Sequence, residues 1–354
     1  FFTFQVISNN VEVYRRKIPA THDFISFAVF IAYFPKLVAG PIEQPQKILP
    51  QIFQEKHLQK EKVTSAFQLM LIGYFKKIVI ADIIAYNINH FFDSPESFGS
   101  VHSLLITFLY TLQIYADFSA YTEIIRGVSL LFGINLTENF NQPYLSQNPR
   151  EFWQRWHISL TTWLREYLYI PLGGNRKGKK RIYLNIMIVF ILSGLWHGAG
   201  INFVIWGALH GLYLVIHRGF GEIAKRKNFD LESKGKKNNL VIKACYWFIT
   251  FQLVSFAWIF FRAPDLNIAF IIIKQSFSFS YDLTICIFQD QVFQLLIFCG
   301  IILCMIDIIQ YKKKTHEIFT GMNWILRGII FAVMFITILL FQFESYTPFI
   351  YAGF

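Results

Sequence analysis

Residues 150–211 read REFWQRWHISLTTWLREYLYIPLGGNRKGKKRIYLNIMIVFILSGLWHGAGINFVIWGALHG. A Trp-rich segment leads into a basic glycine loop and then into two apolar runs, 182–196 and 201–216, which meet at His197-Gly198-Ala199-Gly200. At 1.5 Å per residue each run reaches only about 23 Å, short of the roughly 30 Å hydrocarbon core of a bilayer. Both outer ends are basic, with Arg176, Lys177, Lys179, Lys180 and Arg181 before and Arg218, Lys225, Arg226 and Lys227 after. Cytoplasmic loops retain Lys and Arg, so both runs are expected to start and finish on the cytoplasmic side with the turn deep in the membrane. Irregular backbone at that depth survives only where it is buried in protein or lines a cavity. An ionisable side chain placed there is a functional-site candidate, and His197 is that side chain.

The rest of the chain has the same character. Of its 354 residues 54% are hydrophobic, 18% aromatic and only 16% charged, against about 25% charged in soluble domains. The composition and the recurring apolar runs point to an all-α, polytopic membrane protein. The net charge of +11 sits between apolar runs, where the positive-inside rule accounts for it, and nucleic acid is not an expected partner. Cys245, Cys286, Cys299 and Cys304 form no CxxC pair and share no spacing with histidine, so neither a zinc site nor a disulfide framework is indicated. The chain opens at Phe1, partway into an apolar segment and without a charged n-region, h-region and cleavage site. A fragment is therefore expected.

Taken in order, residues 1–13 are apolar and end at Tyr14-Arg15-Arg16-Lys17, and 24–42 form an apolar run broken by Pro35 and closed by Gly40-Pro41. Residues 45–62 read as a loop with a short interfacial helix. In 63–92, Lys76 and Lys77 are expected to snorkel to an interface, with Asp82 solvated or paired. Within 101–134, Asp117 ends an otherwise uncharged apolar run, 102–116, and needs a donor, with Ser119, Tyr121 and Arg126 in local reach; a structural hydrogen bond and a catalytic role both stay open. In 150–170, Trp153, Trp156, His157, Leu160, Trp163, Leu164 and Tyr167 recur at i, i+3, i+4 spacing, which predicts one amphipathic helix at the membrane surface. Glu151 and Arg155 form an i,i+4 pair, and His157 falls on the apolar face, where a lone His more often packs than reacts. The loop 173–181 lacks GxxxxGK[ST] and is no P-loop. Residues 218–243, with Lys225–Lys227 and Lys234–Lys237, are expected in the cytoplasm, 244–263 cross outward, 264–290 hold Asp265, Asp282 and Asp290 with only Lys274 for balance, 291–311 return to Lys312-Lys313-Lys314, and 324–343 cross out again. One integral-membrane domain, 1–354, with 150–211 as its catalytic core segment, is the expected organisation.

These residues resemble the membrane-bound O-acyltransferase family, in its bacterial branch that includes alginate O-acetylases and relatives acting on peptidoglycan. The resemblance is carried by 150–160 and 163–175, by Gly194-Leu195-Trp196-His197-Gly198-Ala199 and by Trp206-Gly207-Ala208-Leu209-His210-Gly211. Tyr33-Phe34-Pro35, 38–42, Phe75-Lys76-Lys77, 113–119 and Ala257-Trp258-Ile259-Phe260-Phe261-Arg262 extend it. It implies a helical ring of short, tilted and re-entrant helices around a central tunnel, with further helices before the segment resembling 1–15. Ala116 and Ala120 depart from the pattern, where a larger residue and a glycine are expected.

The resemblance further implies a multi-pass protein of the bacterial cytoplasmic membrane, in contact with membrane lipids. Its activity would be transfer of an acetyl group from cytoplasmic acetyl-CoA, without a bound cofactor or metal, for O-acetylation of an extracytoplasmic polysaccharide such as an alginate-like exopolysaccharide or peptidoglycan. A separate extracytoplasmic acetyltransferase partner would finish the transfer. His197 matches the catalytic histidine and His157 the second active-site position; a histidine has the pKa to take a hydroxyl's proton near neutrality. Trp156, Trp196, Asp117, Asn175, Arg155 and His210 are expected to line the tunnel or position substrate, and Arg176, Lys177 and Lys179 to attract the phosphates of CoA. D-alanyl transfer from a carrier protein to teichoic acid is the rival within the enzyme class. A transporter or flippase, using His197 and Asp117 as proton relays, would be supported by inverted repeats, and none is seen. A catalytically dead scaffold would be expected to have lost one histidine, and both are present.

Overall fold

The computed structural model of the chain describes residues 2–57, 59–226, 239–278, 291–342 and 348–350. The expected basic stretch through Lys227 and Lys234–Lys237, and Cys286, Asp282 and Asp290, lie outside the described residues. Among the described residues all regular structure is helical. The α-helices are α1 (Phe2–Tyr14), α2 (Phe24–Ala32), α3 (Pro45–Phe53), α4 (Lys60–Phe75), α5 (Ile83–Asp93), α6 (Ser100–Leu131) and α7 (Pro149–Arg155). They continue with α8 (Ile158–Leu164), α9 (Lys179–His197), α10 (Ile201–Arg226), α11 (Leu240–Arg262), α12 (Leu266–Ser276), α13 (Gln291–Lys313) and α14 (Trp324–Phe341). Among the described residues four stretches are long and apolar enough to cross a membrane: Ile201–Ile223, Leu240–Arg262, Val292–Lys313 and Trp324–Phe341.

Helix starts are set by side chains that take up orphan backbone N–H groups. Asp23 accepts from Ile25 and Ser26. Asn148 accepts from Glu151 ahead of Pro149, whose fixed φ suits the first helical turn. Asn239, Asp265 and Asn323 do the same for α11, α12 and α14. The cap at Asp265 starts α12 within 264–290, a segment in which the sequence reading marked no helix. Pro35 breaks the second apolar run as predicted, into α2 and a short 3-10 turn over Phe34–Lys36.

The chain divides into two compact units. Unit 1 comprises 1–87, 112–139 and 295–354. Its lysines correct the snorkelling expectation. Lys76 is 0% exposed and Lys77 is buried too, on a π-helical turn over Lys76–Asp82 between α4 and α5. Lys76 Nζ lies 2.8 Å from Glu123 Oε1, which also holds Gln310 and His316 at 3.3 and 3.0 Å. Lys77 Nζ bridges Asp82 and Asp117, each at 2.8 Å. So Asp82 is paired, as expected, while Asp117 draws its donors from Lys77 and the backbone N–H of Ile350 (2.7 Å) rather than from Ser119, Tyr121 or Arg126. A buried ammonium is tolerable only when paired and hydrogen-bonded, and the extra residue of a π-turn is a common way to re-aim such side chains.

Unit 2 comprises 88–111 and 140–294, and its centre is the α9–α10 hairpin. A Cβ on Gly194 would collide with the carbonyl of Phe203, and one on Gly207 with the carbonyl of Phe190. The two helices therefore touch backbone to backbone, the use that membrane helices make of small residues. The helices are longer than the apolar runs, at 19 and 26 residues, or about 28 and 39 Å. Lys179, Lys180 and Arg181 are good helix formers and let α9 begin inside the basic loop, ahead of its apolar run.

Lys76→Met strands the Glu123 carboxylate, and breaking such a pair typically costs about 3–5 kcal/mol. Thermal unfolding in detergent should show a large fall in apparent Tm for Lys76→Met and a smaller one for Lys76→Met/Glu123→Leu.

Candidate active site

The predicted single amphipathic helix over 150–170 is instead two helices and a π-helical turn. The chain leaves α7 at Trp156 in an extended conformation and passes through His157 at φ 41°, ψ 56° before α8 begins. Left-handed backbone is costly for a residue with a Cβ, by roughly 1–2 kcal/mol, so the surrounding packing must hold His157 there. Nor are Trp153, Trp156 and His157 at a surface, although Trp163 is only half-buried. Trp153, Trp156 and His157 are 5%, 1% and 1% exposed.

What covers them is an aromatic cage from α7, α9, α10 and α11. Phe152 stacks on Trp156, with ring centroids 5.5 Å apart, and Trp156 leans on Trp258 at 5.1 Å. Trp258 stacks on Trp206 at 5.7 Å, and Trp206 meets the edges of His197 and His210, each at 5.0 Å. Trp196 and Phe261 close around His197 at 4.8 and 5.2 Å. Edge-to-face pairs of this kind contribute about 0.5–1.5 kcal/mol each beyond the area they bury.

His197 is the last residue of α9 and 6% exposed. A Cβ on Gly198 would strike the Phe203 ring, so the chain can turn closely only with glycine after the histidine. Asn202, at the start of α10, donates to the carbonyls of Phe260 and Ala263 at 3.2 and 3.0 Å. That ties the turn to the end of α11, where Trp258 and Phe261 sit. His197 lies within electrostatic reach of both His157 and His210. Two histidines far apart in sequence, His157 and His197, are thus brought together with His210 inside one unit.

The other predicted site residues divide. Trp156, Trp196 and His210 belong to the cage. Arg155 is committed to Glu151 (2.8 Å) and to the carbonyl of Asn141 (3.2 Å). Asn175 is exposed and accepts from Tyr169 (2.8 Å) and Arg218 (3.4 Å). Arg176 and Lys177 are exposed, whereas Lys179 pairs with Glu222 at 2.6 Å. Asp117 belongs to unit 1 and to Lys77. Among the described residues no group of three or more His, Cys, Asp or Glu is placed to hold a metal ion. Sequence reasoning gave no site role to Trp153, Trp206, Trp258 or Phe261, although all four stand within segments carrying the family resemblance.

A helical protein with four membrane-length helices and ionisable rings enclosed among aromatic ones is an integral-membrane protein with an enclosed polar site. Its sequence matches the membrane-bound O-acyltransferase family over residues 8–261. It is 41% identical over 279 residues to the probable alginate O-acetylase of Pseudomonas aeruginosa, covering 79% of this chain and 51% of that protein. It is 39% identical over 254 residues to the peptidoglycan O-acetyltransferase of Helicobacter pylori (71% and 46% covered). To the teichoic acid D-alanyltransferase of Bacillus subtilis it is 29% identical over 239 residues (64% and 60%). The chain belongs to the membrane-bound O-acyltransferase family and is a multi-pass membrane protein. It spans about half the length of the alginate and peptidoglycan relatives it matches.

The left-handed backbone at His157 gives a stability test separate from chemistry. Asn tolerates that conformation and a β-branched residue does not. His157→Val should be less stable than His157→Asn by about 1–2 kcal/mol, read from apparent Tm in detergent.

Proposed function

We propose that the protein is an O-acyltransferase that moves an acetyl group from cytoplasmic acetyl-CoA across the membrane for O-acetylation of an extracytoplasmic polysaccharide. The observation that carries this reading is the convergence of His157 and His197, both buried, at two interruptions of the helical chain. The family and the names of the acetylating relatives support it. A hydroxyl attacks a thioester only as a base removes its proton, and a neutral imidazole is the ordinary side chain for that task. His197 is assigned as the base. His157, buried and at a left-handed backbone position, is assigned to polarise or position the acyl group. Arg176 and Lys177 would attract the donor's phosphates, and Lys179 would contribute less because Glu222 already neutralises it.

The polymer is alginate-like or peptidoglycan, the two acceptors named among the acetylating relatives, and the setting is the bacterial cytoplasmic membrane. A partner protein on the far side would complete delivery to the polysaccharide, and the donor thioester is a substrate rather than a resident cofactor. A second reading, D-alanyl transfer from a carrier-protein thioester to teichoic acid, is favoured by the similarity to teichoic acid D-alanyltransferases.

The test uses the full chain in proteoliposomes with radiolabelled acetyl-CoA, polysaccharide and the extracytoplasmic partner. His197→Ala should abolish thioester cleavage and label transfer while leaving membrane insertion intact. Turnover retained by His197→Ala would overturn the assignment of the base. Turnover only with an acyl carrier protein would replace acetyl-CoA as donor.

A further inference from the structure

His210 sits in the middle of α10, 1% exposed, and the reading above leaves it without a task. Its Nδ1 accepts the indole N–H of Trp153 at 3.3 Å. An indole nitrogen only donates, so Nδ1 carries no proton, the ring is neutral and its single N–H is at Nε2. That Nε2 is fully buried and has no hydrogen-bond partner among the described residues. A buried N–H left without an acceptor is a standing cost to the fold, and such groups in native structures call for an explanation. The ring is also held rigidly. Phe152 lies parallel to it at 6.1 Å, and Trp206, Trp153 and Tyr213 meet it edge to face at 5.0, 5.0 and 5.8 Å. Trp206 separates it from His197, which lies within its electrostatic reach.

A fixed neutral N–H donor in the same aromatic cage as a base, in surroundings poor in water, is what an acyl-transfer transition state requires at its carbonyl oxygen. We propose that His210, locked by Trp153 as the Nε2–H tautomer, donates to the oxyanion formed when the acceptor hydroxyl attacks the thioester beside His197. The inference rests on the O-acyltransferase reading. In the step, the hydroxyl oxygen bonds to the thioester carbon and its proton passes to His197. The carbonyl π pair moves onto oxygen, where His210 Nε2–H holds it. On collapse that pair re-forms the C=O bond, the C–S bond breaks, and the departing sulfur takes the proton from His197. The products are an ester and a free thiol, and both histidines return to their starting states. His210 is then a catalytic residue and Trp153 a positioning residue.

The experiment measures thioester cleavage by the full chain in proteoliposomes for wild type, His210→Phe, His210→Gln, Trp153→Phe and the Trp153→Phe/His210→Phe double variant. His210→Phe keeps an aromatic ring in the cage and removes the donor. It should lower kcat by about 10²–10³-fold, the usual loss for one oxyanion donor, with KM for the thioester within threefold. His210→Gln returns an N–H near the Nε2 position and should recover at least tenfold over His210→Phe. Trp153→Phe frees the tautomer and should lower kcat about tenfold, yet add nothing in the double variant. Mere packing would make Phe the better replacement and Gln the worse.

The proposal is overturned if His210→Phe keeps kcat within threefold of wild type, or if His210→Gln is no more active than His210→Phe. Should His210→Phe fail to fold, a wild-type kcat in Trp153→Phe overturns it equally. Dependence of wild-type turnover on His197 tests the underlying reaction separately. If only a carrier-protein thioester is cleaved, the same ratios are taken with that donor, so the acetyl-CoA assignment fails without the His210 assignment. If wild type cleaves neither thioester, both fall.

Discussion

Backbone contact between α9 and α10 is the constraint on which the site depends. Gly194 faces Phe203 and Gly207 faces Phe190 with no room for a methyl group on either glycine. In lipid no hydrophobic drive pushes two helices together, so their association rests on close packing of this kind. The contact fixes the register of the hairpin, and the register decides what His197 meets. With Gly194 against Phe203 and Gly207, the residue three positions on comes up against Trp206 rather than lipid. Sliding the helices by one residue would turn the histidine out of the cage.

Unit 1 stores its polar groups differently. Lys76, Glu123, Gln310 and His316 form one buried network and Lys77, Asp82 and Asp117 another. Buried ion pairs seldom stabilise a fold relative to apolar replacements, but removing one partner is expensive because the other charge stays behind. Such groups penalise alternative packings of otherwise interchangeable apolar helices. In a chain with 40 Phe and long runs of Ile and Leu, specificity of this sort is worth having, since shape alone discriminates poorly among greasy surfaces.

The legible part of the sequence was composition and order: helical class, membrane-length spans, the Pro35 break, the hairpin either side of His197, and the histidines themselves. What was not legible depends on backbone. The i, i+3, i+4 pattern of Trp153, Trp156, Leu160 and Trp163 continues straight through His157, because periodicity records side-chain type and carries no trace of a left-handed residue. Lys76 and Lys77 look like interfacial anchors until the π-turn aims them inward at Glu123 and Asp117, dozens of positions away. The apolar run 182–196 understates α9 because charged residues with good helix propensity extend it. The cage was half visible: Trp206, Trp258 and Phe261 stood in recognisable segments, but only the folded chain shows that they surround the same rings.

The placement of the three histidines follows from these constraints. His157 and His197 both occupy points where a helix stops, one by a left-handed residue and one at a glycine turn. A side chain at a helix end can be re-aimed by its neighbours' backbone, and here protein covers both histidines. Groups proposed to meet the reacting atoms, as base or as positioning residue, benefit from that adjustability, because donor and acceptor must reach them. His210 is set in the body of a helix, with stacked and edge-on rings around it and an indole fixing its proton. A group whose task is to present a constant dipole is better there, where the scaffold leaves it nothing to reorganise. Under the proposed roles, two histidines at chain breaks and one within a helix would do different work with chemically identical side chains.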